Sequence, residues 1–377
     1  MRQRLHIGWL LAISCWLLAV SCSSDETGEK QPTTLTVYVY SPAHPMLIRG
    51  AVGPVDASIA ETEITKLQIW IFESGTGKKI GYLETKETAL LNTSEGATFQ
   101  MIVDDDFAKY KPDVDVYVLA NLTRYESCDC ILNEESTRDY LKDNAKLNDT
   151  SDKSYFGWNP LFTSVPNGGL PMVGVLKNQP VIGEAPVLRI GTESHIANVM
   201  LERAVSKMRF VFAKTQGDAA LKIKNIQLNT GMIPTEEYLI PQTKTLNYNT
   251  EPISFLSGEV EVTAAVPNPT VYIYDGQESQ DYETLINGAG LTTVGPFYLR
   301  ESDKQLEGSI KYTIGSNENT GSNENTADFQ MNEAGDFSRN HTWIIYAYHA
   351  GGGFLQMNTL YIKDWTTKTE EHEVYNW

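Results

Sequence analysis

The sequence predicts an all-β protein built from two β-sandwiches in tandem. Many short segments alternate apolar and polar residues, which is the period of a strand with one buried face. Glycine, proline, asparagine and aspartate separate these segments, and almost no segment has the spacing of an amphipathic helix. A chain of 377 residues, 41% of them hydrophobic, is long enough to form two separate cores.

Residues 1–21 have the features of a secretory signal peptide. Arg2 and Arg4 form a positively charged N-terminal region, and the apolar run that follows is too short to span a membrane as a helix. The run ends in the sequence AVSC, which is similar to the bacterial lipobox, so Cys22 is the expected site of lipid attachment. The alternative is an ordinary signal peptide in which Cys22 is incidental.

Residues 22–32 are polar and form a predicted flexible tether. Directly after Cys22, the sequence SSDE resembles the acidic export signal of Bacteroidetes lipoproteins that reach the outer face of the outer membrane. The predicted location of the protein is therefore the exposed surface of the cell outer membrane.

The N-terminal predicted sandwich covers residues 33–196. Its first strand, Thr34–Tyr40, alternates apolar Leu35, Val37 and Val39 with polar residues, so these three share one face. A polar stretch at 134–146 could hold a short surface helix. The other predicted strands are at 64–72, 80–83, 97–103 and 115–120, with strand character again over 180–190.

The C-terminal predicted sandwich covers residues 197–377, with its boundary at Ala197 because a fresh strand pattern starts there. One slip in the alternation within 221–228 predicts a β-bulge. The sequence GSNENT at 315–320 is repeated at 321–326 and predicts an exposed polar loop, while Gly351 to Gly353 predict a hairpin turn. The predicted strands lie within 197–213 and at 221–228, 270–274, 308–314, 342–348 and 355–362.

The sequence contains no motif that predicts catalysis or a bound cofactor. Its 6 histidines lack the spacing of a zinc site, and neither a nucleophile elbow nor a phosphate-binding glycine loop is present. Cys128 and Cys130 are too close in sequence for an unstrained disulfide. The aspartates at 104–106 could hold calcium, although a solvated acidic loop is the favoured interpretation. We therefore expect a protein that is not an enzyme and that holds no metal or cofactor.

The charge of the chain bears on its partners. The formal net charge at pH 7 is -18. Such an acidic body repels phosphate backbones, so nucleic acid is not a predicted partner. The plain interpretation of the charge is solubility outside the cell.

Several short motifs follow one another along the chain. They are the AVSC sequence ending at Cys22, the strand Thr34–Tyr40 before a loop with Arg49-Gly50-Ala51, the strand at 64–72, VDVYVLAN at 114–121, LPM at 170–172, LERAVSK at 201–207, RNH at 339–341, DW at 364–365 and the final Trp377. In this order they resemble the fimbrillins of Bacteroidales, the major and minor subunits of type V pili. No single motif is specific, but the ordered combination spans nearly the whole chain.

The resemblance implies a fold of two transthyretin-like β-sandwich domains and a precursor that carries lipid on Cys22. It also implies that an arginine-specific protease cuts between Arg49 and Gly50. The first strand, Thr34–Tyr40, then leaves, and a C-terminal strand of a neighbouring subunit takes its place. In this chain the donor strand would lie within residues 359–377.

Physical chemistry supports such an exchange independently of the resemblance. Burial of Leu35, Val37 and Val39 contributes about 5 kcal/mol. Removal of this strand exposes apolar surface and unpaired backbone groups, which together bind another strand. A replacement strand would therefore complete the fold.

The predicted function is that of a structural subunit of cell-surface fimbriae, stalk or tip, which mediates cell adhesion and biofilm formation. The predicted partners are other fimbrial subunits, the arginine-specific protease and, before processing, the outer membrane through the lipid on Cys22. The polar tail at 366–373 offers few apolar residues to fill a groove, which weakens the stalk role. The alternative is a monomeric or anchoring surface lipoprotein that binds a glycan or a host ligand, and a hydrolase has no supporting motif.

Overall fold

The described residues are mostly strand, and the all-β prediction is confirmed. The structure is a computed structural model that describes residues 31–41, 59–92, 96–122, 131–148, 156–157, 163–215, 219–263, 265–266, 291–315, 324–331, 334–335, 337–351 and 354–362. Within these ranges no helix has the length and apolar composition needed to span a membrane.

The strands and helices of the described residues have the following bounds. The strands are β1 (Thr34–Tyr40), β2 (Leu67–Glu73), β3 (Lys79–Thr85), β4 (Ala97–Ile102), β5 (Val114–Ala120), β6 (Lys146–Asn148), β7 (Phe156–Gly157), β8 (Met172–Gln179), β9 (Val181–Glu184), β10 (Val187–Ile190), β11 (Asn198–Met200), β12 (Glu202–Arg203), β13 (Ser206–Thr215), β14 (Leu221–Leu228), β15 (Glu236–Tyr238), β16 (Ile253–Ser254), β17 (Val260–Val262), β18 (Ala265–Val266), β19 (Thr292–Leu299), β20 (Glu307–Ile314), β21 (Asn325–Gln330), β22 (Thr342–His349) and β23 (Gln356–Ile362). The helices are α1 (Ile59–Thr62), α2 (Asp105–Tyr110) and α3 (Arg138–Asn144), and Ala89–Asn92 form a 3-10 turn.

The N-terminal half contains two five-stranded sheets. Sheet I has β1 in its interior, with β4 on one side and with β10 and β11 on the other, and β9 lies beyond β10. Sheet II has the order β12-β8-β5-β2-β3. One apolar core contains residues of both sheets, including Leu35 of β1, Ile69 of β2 and Val116 of β5, so the two sheets form a sandwich.

The C-terminal half repeats this arrangement with two further five-stranded sheets. Sheet III contains β13, β22 and β23, with β18 and β19 also paired to β13. Sheet IV contains β14, β20 and β21, with β16 and β17 paired to β14. A second core joins them and includes Phe210, Ile226, Ile310 and Trp343, each at most 1% exposed.

The two halves meet at the outer face of sheet II. Trp70 and Tyr117 of this face belong to a buried cluster that also contains Leu239 and Tyr298 from the C-terminal half. Sheet V, with the order β15-β6-β7, spans the same junction because β15 pairs antiparallel with β6. Since both faces of sheet II are covered, every residue of β5 is buried and the usual alternation is lost.

Strand pairing changes from the first pair of sheets to the second just after β12. β11 pairs with β1 and therefore belongs to sheet I, and β12 pairs with β8 and therefore belongs to sheet II. β13 pairs with β22 in sheet III. The change therefore falls between Arg203 and Ser206, downstream of Ala197, and the division into domains at 33–196 and 197–377 stays a prediction.

Several local predictions are confirmed. The register of β14 against β20 shifts between Ile223 and Asn225, as expected from the slip in alternation. Helix α3 lies within the polar stretch at 134–146. β22 and β23 are antiparallel neighbours, as the predicted hairpin requires, while Gly352 and Gly353 lie outside the described residues.

Other local predictions were wrong or incomplete. The acidic segment at 104–106 is the start of α2, where the Asp104 carboxylate caps the helix by accepting the Phe107 N–H at 2.6 Å. The second GSNENT copy is not wholly loop, because its last two residues begin β21, whose Phe329 is buried. β19 was missed because Pro296 lies within it and argues against a strand. The predicted strand at 270–274 and the cysteines at 128 and 130 lie outside the described residues.

Candidate functional site

The first strand of the described chain is an interior strand of its sheet. β1 pairs antiparallel with β4 from Thr34 to Val39. On its other side it pairs parallel with β10 over Thr34 to Thr36 and with β11 over Tyr38 to Tyr40. Both edges of β1 are therefore hydrogen-bonded, although the strand begins directly after the predicted tether.

The inward face of β1 fills part of the first core. Leu35 and Val39 are 0% exposed and Val37 is 1% exposed, as their alternation predicted. Their cross-strand neighbours on β4 and β10 include Met101 and Leu188, which belong to the same core. Burial of the three side chains contributes about 5 kcal/mol.

The covalent link between β1 and the next described element is residues 42–58. Arg49 and Gly50 fall within this link and, like Cys22, lie outside the described residues. At one end of the link the Tyr40 carbonyl accepts the Leu201 N–H at 2.9 Å, and at the other end Glu61 of α1 contacts Lys207 of the C-terminal half. A break in this link would leave β1 held to the rest of the protein by noncovalent contacts alone.

Helix α1, on the far side of the link, is anchored by buried charge. The Glu61 carboxylate Oε1 lies 3.0 Å from Lys207 Nζ and accepts the Tyr298 hydroxyl at 2.8 Å. Arg203 Nε donates to the Glu61 carbonyl at 2.8 Å. The side chains of Glu61 and Lys207 are at most 1% exposed, so loss of either partner would leave a buried charge unpaired by the other. The ion pair connects α1 to β13, and the Tyr298 hydrogen bond connects it to β19.

Asn121 fastens the segment that follows α1. This last residue of the VDVYVLAN motif has φ 60°, in the left-handed region that asparagine tolerates better than most residues. Its Nδ2 donates to the carbonyls of Glu63 and Leu170, each at 2.8 Å, and its Oδ1 accepts the Thr65 N–H at 2.9 Å. One side chain thus joins the end of β5 to the chain before β2 and to the chain before β8.

A second charged cluster lies at the junction, around Arg339 of the RNH motif. Its guanidinium pairs with Glu301 and lies 2.9 Å from Glu237 Oε1, and it donates to the Leu239 carbonyl at 2.9 Å. The carboxyl groups of Glu237 and Glu301 share the Arg339 cation, and their pKa values shift in opposite directions. Burial raises the pKa of Glu237 to about 8 in spite of Arg339. Burial also opposes ionisation of Glu301, but the charge and hydrogen bonds of Arg339 outweigh it and lower the pKa of that carboxyl.

The structure brings together only part of the predicted site. Leu35, Val37 and Val39 lie side by side in one core, whereas the predicted lipid site and cleavage site fall outside the described residues. Of the predicted donor region at 359–377, residues 359–362 belong to β23 and pair with β22 of the same chain. The described residues contain no group of three His, Cys, Asp or Glu placed to hold a metal ion.

Sequence reasoning missed the ion pair between Glu61 and Lys207. Lys207 lies in the LERAVSK motif and at the start of a strand, and a charged residue in a buried strand needs a partner. That signal could have indicated a buried ion pair, but nothing local identifies Glu61, which lies 146 residues earlier, as the partner.

Comparisons with known proteins give structural likenesses only. No protein-family model matches the chain, and no curated protein matches its sequence. The tip fimbrial protein Mfa3 from Porphyromonas gingivalis, with a C-terminal truncation, is similar at 13% identity and a TM-score of 0.43, over 88% of this chain and 98% of that chain. A candidate cell adhesion protein from Bacteroides eggerthii is similar at 13% identity and a TM-score of 0.49, over 89% of this chain and 97% of that chain.

A fimbrial assembly protein from Parabacteroides distasonis is also similar, at 10% identity and a TM-score of 0.40, over 88% of this chain and 99% of that chain. The solved structures that resemble the chain thus include Bacteroidales fimbrial and candidate adhesion proteins, the group that the ordered motifs indicated. At identities of 10–13% and TM-scores below 0.5, these likenesses assign no function to the chain.

Proposed function

We propose that this protein is a structural subunit of cell-surface fimbriae, stalk or tip, that joins its neighbours by protease-triggered strand exchange. In this role it mediates cell adhesion and biofilm formation. One observation carries the proposal: β1 is an interior strand of sheet I, yet its covalent link to the following residues is the segment that contains Arg49.

The first step is cleavage between Arg49 and Gly50 by an arginine-specific protease. Cleavage breaks the covalent connection of the fold to β1 and to the lipid expected on Cys22. It makes β1 replaceable, and the departure of β1 then frees the subunit from the outer membrane. The anchoring of α1 through Glu61 and Lys207 supports this step, because the new N-terminal segment stays attached to the C-terminal half.

The second step is loss of β1 and its replacement. Without β1, the backbone of β4 faces β10 and β11 across a gap, and the core contacts of Leu35, Val37 and Val39 are lost. Unpaired strand edges beside an apolar cleft are a strong template for an added strand. A donor with apolar residues at every second position restores both the pairing and the core.

The donor comes from residues 359–377 of a neighbouring subunit. The first four of these residues pair with β22 in the unassembled chain, where β23 lies beside the segment from Thr342 to Tyr348. Donation therefore requires either that this part of β23 leaves β22 or that the donor begins after Ile362.

The second candidate function is that of a monomeric or anchoring surface lipoprotein that binds a glycan or a host ligand. It is favoured by the completeness of sheet I in the uncleaved chain, where β1 is bonded along both edges and fills its core without a partner. In this case Arg49 would not be cut and the lipid on Cys22 would hold the protein at the membrane.

A reversible disulfide between β1 and β4 distinguishes the two functions. Tyr38 of β1 and Thr98 of β4 are cross-strand partners at non-core positions, and Thr98 is exposed, so Tyr38→Cys with Thr98→Cys can form a disulfide without disturbing the core. After treatment with an arginine-specific protease, the oxidised variant should form no detergent-resistant oligomers, and reduction should restore them. Each single-cysteine variant is the matched control. Oligomers from the oxidised double variant would show that β1 does not need to leave.

A further inference from the structure

Three of the seven large hydrophobic side chains that are exposed in the described part of the chain occur around one end of the N-terminal sandwich. Ile102 is 69% exposed, Tyr110 is 70% exposed and Val187 is 54% exposed. Together they are called the docking patch. Exposed apolar side chains are ordinary when scattered singly, but a group of them indicates a contact surface.

The docking patch surrounds the start of β1. Ile102 on β4 and Val187 on β10 are both cross-strand partners of Thr34, one on each side of it. The side chains of Thr34, Ile102 and Val187 point away from the core. The next residue of β1, Leu35, points into the core, and successive side chains of a strand point to opposite faces. Ile102 and Val187 therefore flank the first residue of β1 on the outer face of sheet I.

Tyr110 is held near the same end by its helix. It is the last residue of α2, which follows β4 closely in the chain. The next residue, Lys111, donates a hydrogen bond from Nζ to the carbonyl of Gly183, in the hairpin of β9 and β10 that leads to Val187. Helix α2 thus ends against the hairpin that carries the third member of the docking patch.

The direction of β1 determines where a donor subunit must lie. A donor that preserves the existing pattern, antiparallel to β4 and parallel to β10 and β11, runs in the same direction as β1. It therefore starts at the Thr34 end and finishes at the Tyr40 end, near the junction. Because a donor strand from the C-terminal region follows its own subunit in the chain, the body of that subunit lies beyond the Thr34 end.

We propose that the docking patch contacts the body of the neighbouring fimbrial subunit whose strand replaces β1. This proposal rests on the proposed function and adds the surface that the partner covers. The donor strand fills the groove, and the docking patch holds the partner's body at the end where the strand passes into the groove. Loss of the patch should weaken subunit association and leave binding of an isolated strand unchanged.

The test uses the full chain with Ile102→Thr, Tyr110→Ser and Val187→Thr combined. These residues are exposed, so the variant should keep the thermal midpoint of the wild type. Two matched controls remove exposed apolar side chains elsewhere: Met200→Thr at the opposite end of sheet I, where Met200 is 53% exposed, and Phe354→Ser in the β22–β23 connection, where Phe354 is 60% exposed.

Two measurements follow treatment with an arginine-specific protease: binding of a synthetic peptide of residues 31–41, and the yield of detergent-resistant oligomers at equal concentration. The triple variant should bind the peptide as the wild type does and form oligomers with about tenfold lower yield, because contacts from its apolar side chains are lost. Both controls should match the wild type in both measurements.

Three results would overturn the proposal. The first is a wild-type yield of oligomers from the triple variant, and the second is an equal loss of oligomers in either control. In the third, the wild type neither exchanges the peptide nor forms oligomers, which removes the proposed function itself. If the wild type exchanges the peptide and the triple variant forms as many oligomers as the wild type, this proposal fails and the proposed function stands.

Discussion

Glu61 and Lys207 form an ion pair of 3.0 Å whose side chains are 1% and 0% exposed. The pair connects helix α1, just after the segment with the expected cleavage site, to the first strand of sheet III. It holds the segment that follows this site against the C-terminal half of the protein.

Removal of one partner of this ion pair should strongly destabilise the protein. Lys207→Met removes the ammonium that lies 3.0 Å from the buried Glu61 carboxylate, which should cost about 3–5 kcal/mol in the free energy of unfolding by denaturant. The double variant Glu61→Gln with Lys207→Met should lose less than the sum of the two single variants. As a matched control, Glu259→Gln breaks the exposed pairs with Lys222 and Lys224 and should leave stability unchanged. Equal effects of Lys207→Met and Glu259→Gln would contradict this account.

Asn121 should be sensitive to substitution for two separable reasons. Asn121→Ala removes all of its side-chain hydrogen bonds and keeps a residue with Cβ at φ 60°, so we expect a loss of about 2–4 kcal/mol in unfolding free energy. Asn121→Gly loses the same bonds but adopts the backbone conformation freely, and should be about 1 kcal/mol more stable than Asn121→Ala. If glycine were no better than alanine, the left-handed backbone at this position would carry no cost.

Glu237 should make the stability of the junction depend on pH. Burial raises its pKa in the folded protein to about 8, above the ordinary value of 4.5 for glutamate, so the folded state binds this proton more tightly than the unfolded state. The contribution is fully present below pH 4.5 and is lost as the pH rises through about 8. The thermal midpoint of the wild type should therefore decrease as the pH rises from about 5 to about 8.

The variant Glu237→Gln carries the matched test of that pH dependence. It keeps the size of the side chain and cannot ionise, so its thermal midpoint should fall less than that of the wild type over the same pH interval. Parallel curves for the two proteins would show that Glu237 is not the group that titrates.

The buried face of β1 should control how long the strand stays after cleavage. Val37 is 1% exposed, and Val37→Thr places a hydroxyl in the core, which should cost about 1–3 kcal/mol. Release of the β1 peptide from the cleaved protein should then be roughly 5 to 150 times faster, as followed by mass spectrometry. Thr36→Val, a change on the same strand that adds no polar group, is the control and should not accelerate release. Unchanged release from Val37→Thr would show that core contacts do not limit departure of the strand.

The sequence predicted those parts of the fold that depend on local pattern. β1 was predictable because Leu35, Val37 and Val39 alternate with polar residues, and the bulge in β14 was predictable because the alternation slips by one residue. β5 was placed correctly, but its complete burial was not predictable, because it depends on Leu239 and Tyr298 from the other half of the chain. The ion pairs of Glu61 and of Arg339 were not predictable for the same reason, since their partners are brought close only by the tertiary fold.

The N-terminal residue of the mature protein tests strand exchange most directly. Mass spectrometry of the protein in sheared surface material and in membranes from the same cells measures it. The account predicts that the protein in the sheared material starts at Gly50, and that Arg49→Ala abolishes that form and leaves the protein with the membranes. A protein that starts at lipidated Cys22 and occurs only in membranes would contradict strand exchange into this subunit and support an anchored monomeric lipoprotein.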